Sequence, residues 1–218
     1  MLKVGLMLTA ALALLVLLPG AAQAGTYTNA TWHYHFTAPD AWYQTNESGG
    51  NDVTFESAFF GGALMSAGHA EKAAAESTEV FLLAEATAAH GQFKGLVGGT
   101  DVQAPRTFTT GGSRLAADFT VDWTLMSETY RTRQVFFASD GWNMTYVLTF
   151  QSNRTDYQNR TSAWDNAVNS FAVDDEPAPP APEQPPASGG FLPGFDLAVV
   201  VAAVGAAGVV AVRSRPRR

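Results

Sequence analysis

Two histidines separated by one residue, His33 and His35 in "TWHYHFTAPDAWYQ", are the first residues whose types and spacing suggest chemistry. On a strand, residues two apart project from one face, so the two imidazoles could chelate a metal if further ligands joined them. A polar strand face explains the pair equally well. His69 and His90 flank an Ala-rich stretch, and His90 near a helix C-terminus suits the helix dipole. Asp174-Asp175-Glu176 could attract calcium, but adjacent carboxylates rarely form a cage. The chain has no Cys, which excludes disulfides, thiolate metal sites and a Cys nucleophile.

No G-x-S-x-G occurs, and Gly111-Gly112-Ser113 reads as a turn before a strand. "GLVGGT" and "FFGGAL" lack both the phosphate-loop ending and the dinucleotide-binding glycine spacing. A carboxylate pair for glycoside hydrolysis would have to come from 20 acidic residues, too many for one pair to stand out. The expectation is a protein that is not an enzyme and holds no cofactor.

Asparagine usage is more pointed. Five of the eight Asn head an Asn-x-Ser/Thr sequon: Asn29, Asn46, Asn143, Asn153 and Asn159. In an exported chain each is a candidate glycosylation site, provided it reaches the surface. From Gly25 to Gly190 the chain carries 8 basic against 19 acidic residues, a net of −11 that repels nucleic acid and anionic headgroups.

The elements that would carry these residues follow from periodicity. Trp32, Tyr34 and Phe36 alternate against His33 and His35 as in a half-buried strand. "VTFESAFFGGALMSAG" is a second β region broken by Gly61-Gly62. Residues 71–90 are Ala- and Glu-rich and read as a helix, with Ala74, Phe81, Ala84 and Ala88 inward and Gly91 as its stop. "RLAADFTVDWTL" sets Leu115, Ala117, Phe119, Val121, Trp123 and Leu125 on one face and Asp118 and Asp122 on the other. After a turn at "MSE", Arg131 and Arg133 can face those aspartates across a hairpin, on a face expected to be exposed.

"GWNMTYVLTF" puts Trp142, Met144, Tyr146, Leu148 and Phe150 on one face and Asn143 on the other. A closing helix from about Arg154 to Phe171 buries Tyr157, Trp164, Val168 and Phe171, and turns Asn159 to water. Strands, helix, aromatic meander and closing helix imply an α+β fold, one antiparallel sheet with helices packed on it. "FTAPDAWY", the meander ending "GWNMTYVLTFQ" and "YQNRTSAWDNAVNSF" resemble the PsbP-like superfamily over most of residues 27–173. That resemblance implies an α/β/α sandwich and a mostly non-enzymatic, extracytoplasmic accessory or binding role. No binding residue carries over.

Both ends are apolar. Lys3, the run Leu6–Leu18 and Ala22-Gln23-Ala24 read as a secretory signal over residues 1–24, followed by an ectodomain over 25–174. "DEPAPPAPEQPPASGG", residues 175–190, is a Pro-rich linker. The rest, 191–218, holds a 16-residue apolar run, Leu197–Val212, and then Arg213, Arg215, Arg217 and Arg218. At 1.5 Å per residue that run spans about 24 Å, short for a hydrocarbon core of about 30 Å, and the arginines keep the tail inside. Pro193, Gly194 and Phe195, an acidic residue, a short apolar helix and an Arg cluster resemble the archaeal PGF-CTERM sorting signal. It implies an archaeosortase, a membrane transpeptidase, that removes the helix and transfers the protein to a lipid; a retained transmembrane anchor is the alternative.

The whole reads as a glycosylated archaeal cell-surface protein on the outer face of the cytoplasmic membrane. It would present an accessory or adaptor domain that binds another envelope protein. A receptor for a small ligand or metal ion is the alternative, and an envelope hydrolase a further one.

Overall fold

The computed structural model describes residues 25–40, 42–45, 51–57, 63–72 and 78–178. Residues 1–24, read above as a secretory signal, Asn46, most of the Pro-rich stretch and the apolar tail with Pro193, Gly194 and Phe195 lie outside the described residues.

Seven strands form one antiparallel sheet: β3 (Trp42–Thr45), β4 (Val53–Ser57), β5 (Leu64–Glu71), β6 (Thr100–Thr109), β7 (Leu115–Leu125), β8 (Glu128–Ser139) and β9 (Met144–Asn153). Their spatial order is β3-β4-β5-β9-β8-β7-β6, so β9 returns to the centre between β5 and β8. The expected single sheet is accompanied by a second one. β1 (Thr26–Asn29) and β10 (Ala172–Val173) both pair antiparallel with β2 (Tyr34–Thr37), which joins the two termini of the domain in three strands.

Helix α1 (Glu79–Val97) covers one face of the large sheet. It packs Phe81, Leu82, Ala86, Ala89 and Phe93 on Ala117, Phe119, Val121, Trp123 and Phe136. Helix α2 (Tyr157–Ser170) and the small sheet cover the other face, where Tyr157, Trp164, Ala167 and Val168 meet Val135, Phe137, Leu148 and Phe150. The alternation read in β7, β9 and α2 therefore places those aromatic residues in the core, and Asn159 is exposed. The β7–β8 turn is Met126-Ser127 with φ of 50° and 73°, the doubly left-handed turn that matches strand twist.

Helix α1 departs from expectation. Thr78 caps its first turn by accepting from the Phe81 N–H at 3.1 Å. The helix runs through Gly91 and Gly95 and stops at Gly98, whose φ of 64° is left-handed and whose N–H reaches the Lys94 carbonyl. Ala84 and Ala88 face solvent; Leu82, Glu85, Ala86 and Ala89 are buried instead. An Ala-rich helix has two nearly equal apolar faces, and the positions of Phe81 and Phe93 decide which one the sheet takes.

The aspartates of β7 pair with arginines of β8 as expected, but the face they share is not an exposed one. Arg131 holds Asp122 through two bonds of 2.7 and 2.9 Å. Asp118 is not on an exposed face: it is 0% exposed and binds Gln103 Nε2 at 2.6 Å, Arg106 Nε at 3.1 Å and Arg133 Nε at 2.8 Å. A buried carboxylate without its cations carries a desolvation cost that nothing offsets, so this knot of β6, β7 and β8 must stay whole. Asp118→Ala leaves the largely buried Arg133 with the more distant Asp165 as its one carboxylate partner among the described residues. The expected loss is about 3–5 kcal/mol in urea unfolding; a loss within experimental error would contradict the buried-pair reading.

Candidate functional site

The residues with chemistry gather at one end of the molecule, where the β1–β2 turn, the β8–β9 turn, the end of β5 and residues 174–178 meet. The β8–β9 turn is 140–143 and the β1–β2 turn 30–33. His33 lies in that turn with φ of 57°, ahead of the strand, so the shared strand face expected of His33 and His35 does not exist. His33 stacks on Trp142, with ring centroids 3.6 Å apart and an interplanar angle of 1°. His35 Nδ1 sits 2.5 Å from Asp174 Oδ1. Each imidazole is committed to a different neighbour. Among the described residues no three of His, Asp or Glu converge as a metal site.

Asp174 is gripped at two further points by the same turns. Its N–H donates to the His33 carbonyl at 2.7 Å, and its own carbonyl accepts from Trp142 Nε1 at 3.0 Å. Glu176, counted by composition with the linker, is docked as well. Its Oε1 accepts from Ser139 Oγ at 2.6 Å and from the Gly141 N–H at 3.4 Å, and its Oε2 from Arg114 Nη2 at 3.2 Å. Gly141 is required here, because a Cβ would collide with the Pro177 carbonyl and lie 2.8 Å from Glu176 Cγ. The three carboxylates Asp174, Asp175 and Glu176 diverge instead of forming a cage: Asp174 turns to His35, Glu176 to Arg114, and Asp175 takes a left-handed φ of 47°.

A second arrangement lies beside the first. His69 Nδ1 meets Asp52 Oδ1 at 2.7 Å, Tyr34 donates to Asp52 Oδ2 at 2.9 Å, and Trp32 stacks on His69 at 3.7 Å. Burial, then the Asp52 charge and hydrogen bond, raise the Tyr34 phenol far above its ordinary value. Burial also pushes Tyr146 up to about 12, and its hydroxyl donates to the Trp32 carbonyl at 3.0 Å. A carboxylate that holds Nδ1 orients the ring and turns Nε2 away from it. Among the described residues no hydroxyl nucleophile is bonded to that nitrogen, and the dyad with its stacked Trp32 links β5 to the β1–β2 turn. Sequence reasoning missed this pairing because Asp52 and His69 lie far apart in the chain and carry no local signature.

His90 is also reassigned. It sits mid-helix, since α1 continues to Val97, and its Nε2 meets Asp101 Oδ1 at 2.7 Å with Lys94 at 3.0 Å from the same carboxylate. Those two bonds hold the Asp101 carboxyl below its ordinary value. An open cleft of about 470 Å³ lies at the other end of the sheet, lined by Thr100, Asp101, Asp122, Trp123, Arg131 and Arg154 among others. Arg131 is spent on Asp122, whereas Arg154 is 62% exposed at 3.5 Å from the same carboxylate.

The four described sequons differ in geometry. Asn143 and Asn159 are exposed. Asn29 is half-buried, and its Oδ1 accepts from the Thr31 and Trp32 N–H groups. Asn153 Oδ1 accepts from Thr155, and its Nδ2 donates to Glu128 at 2.8 Å.

With this geometry in place, comparison with solved structures is informative about the fold. Cyanobacterial PsbP (CyanoP) from Synechocystis sp. PCC 6803 matches at a TM-score of 0.53 and 12% identity, over 71% of this chain and 95% of that one. LpqN of Mycobacterium tuberculosis, involved in cell envelope biogenesis, matches at 0.52 and 13%, over 65% and 83%. The fold is similar to that of PsbP. No protein-family model matches the chain, and no curated protein matches it either.

Burial alone would raise the Glu176 carboxyl, but the Ser139 hydroxyl, the Arg114 charge and the Gly141 N–H outweigh it and hold the group below its ordinary value of 4.5. A depressed carboxylate stabilises the fold above its unfolded pKa and loses that contribution as pH falls through the folded one. Glu176→Gln should therefore melt below the parent at pH 7, with the gap closing as the pH falls from about 5 to about 3. Melting curves across that range check it; a gap independent of pH would contradict the assignment.

Proposed function

We propose that this chain is an exported cell-surface protein whose PsbP-like domain is displayed on a C-terminal tether and acts as a non-catalytic accessory or adaptor module. The observation that carries the reading is the fastening of residues 174–177. His33, His35, Trp142, Ser139, Gly141 and Arg114 bind the segment just where the Pro-rich stretch begins. A segment that transmits pull from an anchor must be tied into the sheet, and this one is tied to β2, the start of β7 and the β8–β9 turn. His33 and His35 both contribute to holding it, through the His33 carbonyl and the His35 ring.

Several expectations join this proposal: secretion through residues 1–24, a stalk over 175–190, and PGF-type processing at Pro193-Gly194-Phe195 by an archaeosortase-like transpeptidase. A retained membrane helix is the alternative fate of the tail. Of the four described sequons, Asn143 and Asn159 are the best placed to carry glycan, because neither is tied up by a side-chain bond that the structure describes. LpqN's involvement in envelope biogenesis is compatible with a partner in the envelope. The acidic domain argues against nucleic acid as that partner.

A second reading rests on the cleft beside Arg154, which would admit a small polar ligand and make the domain a receptor. Crosslinking intact cells and identifying what co-purifies separates the two. The adaptor reading expects one reproducible envelope protein at near-stoichiometric yield. Absence of any partner, with the protein itself abundant, contradicts it and favours the receptor.

A further inference from the structure

The solvent face of α1 is built like a buried one. Its exposed positions from Val80 to Leu96 are Val80, Leu83, Ala84, Thr87, Ala88, Gly91, Gly95 and Leu96, without a single charge. Val80 is 78%, Leu83 37% and Leu96 48% exposed. Thr87, the one polar member, returns its hydroxyl to the Leu83 carbonyl at 2.7 Å and so offers a methyl outward. An exposed helix of an acidic domain ordinarily carries charge there. Two glycines inside a helix each cost about 1 kcal/mol relative to alanine. Among the described residues nothing lies within 4 Å of a Cβ built on Gly91 or Gly95, so no packing among them requires these glycines. They become useful when another surface comes close.

We infer that this face pairs with the same face of a second copy, the two α1 helices running antiparallel about an axis between Thr87 and Ala88. The arrangement is self-complementary in volume and in charge. Val80 of one copy falls opposite Gly95 of the other and Ala84 opposite Gly91, so the larger side chains fill the positions without a Cβ. Glu79 in the first turn of one helix comes beside Lys94, which also pairs with Asp101 of its own chain, in the last turn of the other, and the helix dipoles oppose. A 19-residue helix is about 28 Å long, and its face offers a few hundred Å² per copy against roughly 800 Å² per partner in a stable complex. That area suits copies held side by side on one membrane, where tethering raises the effective concentration to roughly the millimolar range. In this respect the inference rests on the tethered reading above. The described sequons all lie off α1.

The chain has no Cys, so a single introduced thiol reports its own surroundings. The test is full-length protein on cells carrying Ala88→Cys, next to the axis, or Ser162→Cys, exposed on α2, each labelled with a thiol-linked photocrosslinker. Pairing predicts an adduct of twice the chain mass, containing only this sequence, severalfold stronger from Ala88→Cys than from Ser162→Cys. Adding Gly91→Leu, which raises helix propensity and so preserves the fold, should abolish it. Equal adduct from both positions, or monomer alone, overturns the inference and leaves the tether standing. An adduct of Ala88→Cys with a different protein also overturns it, while supporting the adaptor reading.

Discussion

Asp118 is the charge on which the sheet is organised. Its carboxylate is fully buried on the α2 side, and only the convergence of Gln103, Arg106 and Arg133 makes that tolerable. This convergence ties β6, β7 and β8 together across the two register shifts that interrupt β6. It also fixes what can lie above. Arg133 reaches Asp165 of α2 at 3.4 Å and covers the Phe108 ring, and Arg131 covers Tyr157. The closing helix therefore rests half on ionic groups and half on the aromatic core, which sets its direction as well as its depth.

From that direction follows the placement of the C-terminal segment. Leaving α2 at Phe171, which stacks on Phe137 at 4.1 Å, the chain adds β10 to the edge of β2 and reaches Asp174 beside the β1–β2 turn. Both termini of the domain thus meet in the small sheet, next to the turn that closes β8 and β9. The His69–Asp52 pair and the stacked Trp32 hold the N-terminal side, while His33, His35, Trp142 and Arg114 hold the C-terminal side.

How much of this was legible depended on distance along the chain. The faces of β7 and β9 and the stripe of α2 could be read because alternation and helical period are local, and so could the Asp122–Arg131 pairing across a two-residue turn. The extent of α1 could not be read, because Gly91 signals a stop only when no tertiary cover holds the helix together. Nor could its inward face, since alanine marks neither side. The burial of Asp118 was hidden for a different reason: an acid facing two arginines looks the same in sequence whether water or a helix lies above. The second sheet joins residues 26–37 to 172–173, a contact no local pattern announces. The junction was invisible for the same reason, and with it the true setting of His33 and His35.

The proposed arrangement is a folded domain that ends at its fastened segment, with a stalk directly after it, on the outer face of a cell. Brief treatment of intact cells with a broad-specificity protease tests this directly. Cleavage should concentrate beyond Ala178 and release a folded fragment that begins near Gly25 and retains Glu176. A Pro-rich stretch protected on intact cells but digested after lysis would contradict the account.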